Sequence, residues 1–280
     1  MKYISNICLF IVLLFSSNTV LSQNDMYRKV LSGIYIEIQK DTTNLSRYTE
    51  DNEIYRAENK YYFSYIHIDG NNNEYYYSCS NNDIEHCEYI SKNNISDTTI
   101  VGILMRVKPD ISDFTRNLPD YDQTVIEYRF ITHKGDIIYQ NSELTGLVEN
   151  KKNIWMHPTR VGLFRILELC PFPFVQYPCK KGQKWKWKLQ IGERWRNVRW
   201  ITWKGTITNK YQYKVVDDDA IISTNFGELK CKIIKSIAKS RIGTTELTAY
   251  FNEIYGFVRL EYVNINKSKI IMQLIKFEKK

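Results

Sequence analysis

The sequence lacks the short motifs that mark most enzymes and cofactor-binding proteins. It has no G-x-S-x-G nucleophile turn, no glycine-rich phosphate loop and no calcium-binding loop with EF-hand spacing. Its four histidines are scattered, and its six cysteines include no C-x-x-C pair. These absences argue against the hydrolase, nucleotide-binding and metal-binding classes, and we expect no cofactor and no bound metal ion.

Long hydrophobic runs are also missing. The longest apolar segment, ICLFIVLLF at residues 7–15, is well short of the roughly 20 residues that a membrane-spanning helix needs. Lys2 precedes it and small or polar residues follow, which is the pattern of a secretory signal peptide cleaved between Ser22 and Gln23. Because Cys8 lies within the apolar run and no cysteine directly follows the run, lipid anchoring is disfavoured. We therefore predict a secreted or periplasmic protein without a transmembrane anchor.

Acidic residues are scarce in the second half of the chain. Residues 23–150 contain 21 acidic and 12 basic residues, a net charge of −9, whereas residues 151–280 contain 10 acidic and 26 basic residues, a net charge of +16. This asymmetry indicates two modules or two halves that pack on each other, and we place the boundary near residue 150. The basic half can attract phosphate or an acidic glycan; for an exported protein, nucleic acid is not the expected partner.

The composition favours β-structure, since the chain has 21 Tyr and 12 Phe while Ala and Leu are not dominant. After residue 181, short alternating segments recur about every ten residues, separated by turn signals such as Asp-Asp-Asp at residues 217–219. One of them, residues 229–237, places Leu229, Cys231, Ile233, Lys235 and Ile237 on one face. This punctuation predicts a mainly β fold, an antiparallel meander that forms a half-barrel or barrel.

A helical turn is expected at one place, residues 161–169, and it must end at Pro171 because proline cannot continue a helix. In the N-terminal half, the segments KYYFSYIHI and EYYYS flank an Asp69-Gly70 turn, which predicts a β-hairpin. The predicted organisation is a signal peptide at residues 1–22, a β-rich module at 23–150 and a β half-barrel module at 151–280.

Five cysteines remain after removal of the signal peptide. In an exported chain, closely spaced cysteines are more often disulfides than metal ligands. We therefore predict two disulfides that close short loops, Cys79–Cys87 and Cys170–Cys179. Cys231 is left over, in an alternating strand where a buried free thiol is expected.

Residues 184–205 hold five of the six tryptophans, and their one acid stands among seven lysines and arginines. In residues 184–191, tryptophans alternate with lysines, which predicts a strand with an indole-bearing core face and a solvated lysine face. Residues 199–208 are predicted to form the next strand, but residues 194–203 put indole and guanidinium groups on both faces. For that piece a core role and a binding role remain open. The candidate ligand-binding residues are Trp187, Trp195, Arg196, Arg199 and Trp203.

His157 is the histidine with the most suggestive neighbours, because Trp155 and Arg160 lie close to it in sequence beside a rigid proline. A histidine that hydrogen-bonds the loop backbone is favoured over a catalytic one. We assign no catalytic residue.

Three segments in the C-terminal half resemble a known group of proteins. They read GELKC at residues 227–231, RIGTT at residues 241–245 and YFNEIYGFV at residues 250–258. This layout is similar to that of secreted, uncharacterised β-rich proteins of Bacteroidota, of the DUF3108-like or lipoprotein-carrier-like half-barrel type, over residues 183–277. The resemblance implies a curved antiparallel sheet with an apolar concave side, and carriage of lipids or other hydrophobic ligands. It implies no catalytic residues.

The first functional hypothesis is therefore a non-catalytic protein that binds a hydrophobic or amphiphilic ligand on the concave side of its sheet. The alternative is a cell-envelope interaction protein whose basic C-terminal half binds an acidic glycan, lipopolysaccharide or a protein. A hydrolase acting near His157 is a distant third.

Overall fold

The computed structural model describes residues 52–79, 83–109 and 123–280, together with the backbone of two short strands within residues 27–37; within the long range, residues 139–141 are described as backbone only. The predicted signal peptide lies outside these residues, as does most of the polar segment 108–122. In the part of the chain that is described, no helix has both the length and the apolar character needed to cross a membrane.

The strands, in chain order, are β1 Tyr27–Val30, β2 Ile34–Glu37, β3 Lys60–Ile68, β4 Glu74–Cys79, β5 Cys87–Ser91, β6 Thr99–Val107, β7 Thr124–Thr132, β8 Ile137–Glu149, β9 Asn153–Met156, β10 Phe174–Gln176, β11 Lys184–Ile191, β12 Ile207–Thr224, β13 Gly227–Ser240, β14 Gly243–Asn252, β15 Gly256–Val263 and β16 Lys269–Glu278. Short 3₁₀ helices cover Lys92–Asn94, Gly162–Leu169 and Glu193–Trp195.

Fourteen of these strands form one antiparallel sheet. Its order is β10-β9-β8-β7-β6-β4-β3-β16-β15-β14-β13-β12-β11, with β5 paired to β4. The sheet curls into a nearly closed barrel with a single seam between β10 and β11, which confirms the predicted fold class. Its pairing is continuous across residue 150, because β8 pairs with β9. The division into two modules stays a prediction.

The barrel wall follows from strict alternation of apolar and polar residues. In β3, Tyr61, Phe63 and Tyr65 are buried while the residues between them are half-exposed, as a sheet with one packed face requires. The predicted hairpin after β3 is confirmed: β3 pairs with β4 at Ile68↔Glu74. Asp69 organises the turn by accepting hydrogen bonds from the backbone of Asn71 and Asn73, the usual role of aspartate in a turn.

The concave side of the barrel is filled by the chain itself. The predicted helical segment is present as the 3₁₀ helix Gly162–Leu169, and nearly all of it is buried. Phe164 packs on Tyr65 and Phe130 from one side of the barrel, with ring centroids 4.9 and 5.5 Å away. On the other side, Asn209 donates a hydrogen bond to the carbonyl of Leu169. The segment 162–173, called the plug below, therefore connects opposite walls.

Gly162 is required where the plug begins. Its φ of +53° lies in the left-handed region, and a Cβ at this position would collide with the carbonyl oxygen of Ile84. Glycine is the one residue that satisfies both constraints at no steric cost. This close approach fixes the plug against the β4–β5 hairpin.

Three sequence predictions are wrong. Residues 217–219 do not form a turn, because β12 continues through them with irregular register between Val215 and Ala220; a bulge lets a strand absorb extra residues without ending. Residues 199–206 belong to a loop, and the strand begins only at Ile207. In β13 the phase of alternation changes opposite the irregularity in β12, so that Cys231 faces the core whereas Lys235 and Ile237 face solvent.

Of the two predicted disulfides, one is present and the other is not. The Cys79–Cys87 disulfide is present and closes the β4–β5 hairpin. The predicted Cys170–Cys179 disulfide is wrong, because both residues are buried free thiols. Cys170 ends the 3₁₀ helix inside the barrel and donates to the Asn264 side chain at 3.5 Å, whereas Cys179 lies in the turn after β10. Closeness in sequence did not bring these two sulfur atoms together.

Candidate functional site

The seam between β10 and β11 is closed by aromatic side chains instead of backbone hydrogen bonds. Phe174 of β10 packs edge-on against Trp185 of β11, with centroids 5.7 Å apart. Trp187 stacks on Tyr211 at 4.9 Å and donates its indole N–H to the Tyr213 hydroxyl at 2.8 Å. Trp187, a candidate ligand contact from the sequence, is 7% exposed and is committed to this packing.

Residues 192–206 form an irregular excursion from the β11–β12 hairpin, which we call the arginine loop. It begins after the pair Ile191↔Ile207. Arg199 donates to the carbonyl oxygen of Cys87 at 3.3 Å, so the loop lies across the end of the barrel against β5. Trp203 is 5% exposed, which makes it a core residue of the loop.

Trp195 is the half-buried centre of the arginine loop. The guanidinium carbons of Arg194, Arg160 and Arg165 lie 4.9, 5.4 and 6.0 Å from the centroid of its ring. Such distances are within the range of cation–π attraction. Arg196 is exposed, with a loose contact to Glu193 at 3.8 Å. The structure thus brings Trp195 next to cations but leaves Arg196 at the surface.

Beneath Trp195 lies a buried ionic network. Arg160 donates to Glu143 at 3.0 Å and to Glu168 at 3.2 Å, and all three side chains are at most 10% exposed. Burial raises the pKa of Glu168, although Arg160 opposes that shift. A buried cation between two carboxylates satisfies their hydrogen-bonding needs. This network connects the plug to β8, and its paired charges are those of a group that stabilises the fold.

His157 belongs to the same network. Its Nδ1 accepts from Arg160 at 3.3 Å, and its carbonyl oxygen accepts from the Tyr128 hydroxyl at 2.8 Å. Burial, reinforced by Arg160, lowers the pKa of the imidazole well below its usual value. In the described part of the chain, the side chain that hydrogen-bonds the ring is that of an arginine and not that of a nucleophile or a carboxylate. The hydrolase hypothesis stays a prediction with no contact that favours it.

Among the described residues, no group of three His, Cys, Asp or Glu side chains is arranged to hold a metal ion.

The outward face of β11, β12 and β13 carries a cluster of lysines that the sequence alone does not show to be neighbours. Nine outward positions on these strands fall in three rows across the sheet, and seven of them are lysine. The rows are Lys184↔Lys214↔Lys235, Lys186↔Gln212↔Ile237 and Lys188↔Lys210↔Lys239. We call the seven lysines the basic face.

The basic face holds no acidic side chain. Six of its lysines are exposed and Lys188 is half-buried. None of the seven forms an ion pair with an acid among the residues whose side chains the structure describes. Acids border it instead: Glu246 on β14 lies opposite Ile237, and Asp217 follows on β12. Because like charges opposite each other in a sheet are destabilising, this arrangement has no origin in fold stability.

One signal in the sequence could have revealed this face. Lysine recurs at every second or fourth position in KWKWK, KYQYK and KSIAK. Each pattern alone is that of a solvated strand face. These patterns do not show the register between strands, which places the three segments side by side.

Comparison with known proteins returned no matching family model and no matching curated protein. Solved structures that are similar in fold include the following three. A protein described as a lipoprotein from Parabacteroides distasonis is 11% identical, with 80% of this chain and 97% of that chain covered and a TM-score of 0.40. A protein described as exported, with a YmcC-like fold, from Bacteroides fragilis is 10% identical, with 83% of this chain and 100% of that chain covered and a TM-score of 0.36.

The third, the hypothetical lipoprotein YmcC from Escherichia coli, is 7% identical, with 80% of this chain and 86% of that chain covered and a TM-score of 0.32. These neighbours are thus exported proteins or lipoproteins by description, from Bacteroidota and from E. coli. The assignment to the DUF3108 group stays a prediction.

Proposed function

We propose that the protein is an exported, non-catalytic binding protein that engages an anionic component of the cell envelope through the basic face. The observation that carries this proposal is the array of seven outward lysines on three adjacent strands, with no acid among nine positions. An array of one charge sign raises the local concentration of the opposite sign and speeds association with it.

The protection of sheet edges explains only part of this array. Lysines on an edge strand discourage unwanted pairing with another chain, and Lys184, Lys186 and Lys188 lie on β11, where the sheet ends. The lysines of β12 and β13, however, lie on strands that are paired on both sides. A binding role accounts for all seven.

The concave side of the barrel, the first expectation for a ligand site, receives less support. Trp187 contacts Tyr211 and Tyr213, and the plug occupies the space between the opposite walls. A hydrophobic ligand would have to displace buried protein side chains. Of the loop residues, Arg196 remains an exposed candidate for binding an anionic group.

The proposal is tested by binding to immobilised dextran sulfate, with neutral dextran as the reference polymer. We expect binding to dextran sulfate alone, weakening sharply as NaCl is raised from about 0.05 to about 0.5 M, because salt screens exposed charges. The triple variant Lys184→Gln, Lys214→Gln, Lys235→Gln should bind much more weakly than the wild type.

The matched control removes three exposed lysines elsewhere, Lys151→Gln, Lys269→Gln and Lys279→Gln, and has the same net charge. If both triple variants lose affinity equally, net charge and not the basic face governs binding, and the proposal is wrong.

A further inference from the structure

The basic face has an internal arrangement beyond its charge. Its two outer rows are complete lysine triads: the first triad is Lys184, Lys214 and Lys235, and the second is Lys188, Lys210 and Lys239. The row between them contributes a single lysine. Adjacent strands are about 4.8 Å apart and residues rise about 3.3 Å along a strand, so each triad spans about 10 Å and the two lie about 13 Å apart.

From this arrangement we infer that the partner is a linear acidic polysaccharide that engages both lysine triads at once. The inference rests on the proposed function and names the chemical class of its ligand. Lysine supplies compact point charges with freely rotating donors. Such groups suit repeated carboxylates or sulfates along a flexible chain, for which the positions of the charges matter more than the orientation of each anion.

A lipid surface fits the basic face less well. Stable interfacial binding needs apolar side chains that enter the acyl boundary in addition to cations. On the nine outward positions the one apolar residue is Ile237, which is 37% exposed. The tryptophans of β11 point to the core instead. Val198, which is 91% exposed, lies in the arginine loop and is not one of the nine outward positions.

Two separated triads make the ligand's length decisive. A chain too short to reach both triads gains from one of them, whereas a longer chain binds the second triad intramolecularly, at a high effective concentration. Removing either triad should therefore weaken the binding of a long chain strongly and that of a short chain slightly. If binding depended only on a diffuse positive field, removing a triad would weaken the binding of both chains in the same proportion.

The test is calorimetric titration of the full chain with oligogalacturonates, a trimer and a dodecamer. We expect the dodecamer to bind the wild type at least about tenfold more tightly than the trimer. The first triad is removed in the triple variant Lys184→Gln, Lys214→Gln, Lys235→Gln, and the second in the triple variant Lys188→Gln, Lys210→Gln, Lys239→Gln. In each variant, the affinity for the dodecamer should fall at least about tenfold, while the affinity for the trimer changes by less than about threefold.

Each alternative has its own outcome. If the dodecamer's advantage persists in both single-triad variants, it comes from the larger number of binding registers on the longer chain, and the bivalent inference is wrong. If vesicles of phosphatidylglycerol bind and the dodecamer does not, the partner is a lipid surface; the inference fails while the proposed function stands. If dextran sulfate, dodecamer and vesicles all fail to bind, the proposed function falls with it. Circular dichroism of each variant checks that it is folded.

Discussion

The two faces of β11–β13 are made by alternate residues of the same strands, yet lysines are concentrated on the outward face and the buried side chains of the inward face are uncharged. On the inward side, aromatic rings pack the seam, and the buried charges of the barrel lie on other elements, where they are paired: Arg160 lies between Glu143 of β8 and Glu168 of the plug. On the outward side, lysines stand opposite lysines without a partner acid in the described residues. The inward face is explained by stability, whereas the outward face requires another explanation.

The largest effect is expected from the inward face. Trp187→Ala should lower the free energy of unfolding by about 3–5 kcal/mol, because it removes a buried indole and leaves a cavity at the seam. Its outward neighbour provides the reference: Lys186→Ala should stay within about 0.5 kcal/mol of the wild type. Urea denaturation followed by far-ultraviolet circular dichroism measures both. Equal effects would mean that the two faces are not distinguished by packing.

Removing the buried cation should have an effect of similar or slightly smaller size. Arg160→Met leaves Glu143 and Glu168 without their cation and should lower the free energy of unfolding by about 3–4 kcal/mol. Adding Glu168→Gln to that variant should restore part of the loss, since one buried charge is then removed. A double variant no more stable than the single one would show that charge pairing is not what Arg160 provides.

Acidification tests the interior of the barrel through His67, which is a buried residue of β3. Burial lowers the pKa of this imidazole, whose Nδ1 lies 3.1 Å from the Tyr77 hydroxyl, to about 4. The unfolded chain takes up a proton below about pH 6.5, whereas the folded chain does so only near pH 4. Stability is therefore present above about pH 6.5 and falls with decreasing pH, by about 3 kcal/mol in total over that window.

Variants at two histidines check this pH dependence with denaturation curves at several pH values. His67→Gln should flatten the dependence between pH 6.5 and 4. His133→Gln, at an exposed position, should leave it unchanged. A slope that survives His67→Gln would assign the effect to another buried group, His157 being the next to test.

The smallest effect on stability, with the opposite sign, is expected on the outward face. Lys214→Glu would place an acid between Lys184 and Lys235 and should raise the free energy of unfolding by less than about 1 kcal/mol. At the same time, it should weaken binding to dextran sulfate. A variant that is more stable and binds less well is the signature of residues retained for function. If Lys214→Glu lowered both stability and binding, the view that the outward lysines serve binding at a cost in stability would be contradicted.

Alternation along single strands made part of this structure predictable. The core and solvent faces of Lys184–Ile191 and the helical segment ahead of Pro171 follow from local periodicity and from the missing N–H of proline. The basic face could not be read in this way. Which lysines are neighbours depends on register between strands, and that is set by turns and core packing elsewhere in the chain.

The errors have the same non-local origin. At residues 217–219 three aspartates have strong turn propensity, but pairing with β13 keeps the chain extended. The sequence predicts a strand at residues 199–208 although their tryptophans break the two-residue period, and residues 199–206 in fact belong to a loop. Their docking on β5 through Arg199 depends on a partner 112 residues away in sequence.

The pairing of β3 with β16 has a kinetic consequence. Lys60 and Glu278, which face each other in this pair, are separated by 218 residues. Until β16 is available, β3 lacks its neighbour on that side, and the entropy of closing so long a loop must be overcome before the contact stabilises anything. Chains rich in such contacts fold slowly and expose unpaired strand edges meanwhile. We therefore expect the pairing of β3 with β16 to form late in folding, and the chain to be most prone to aggregation before it forms.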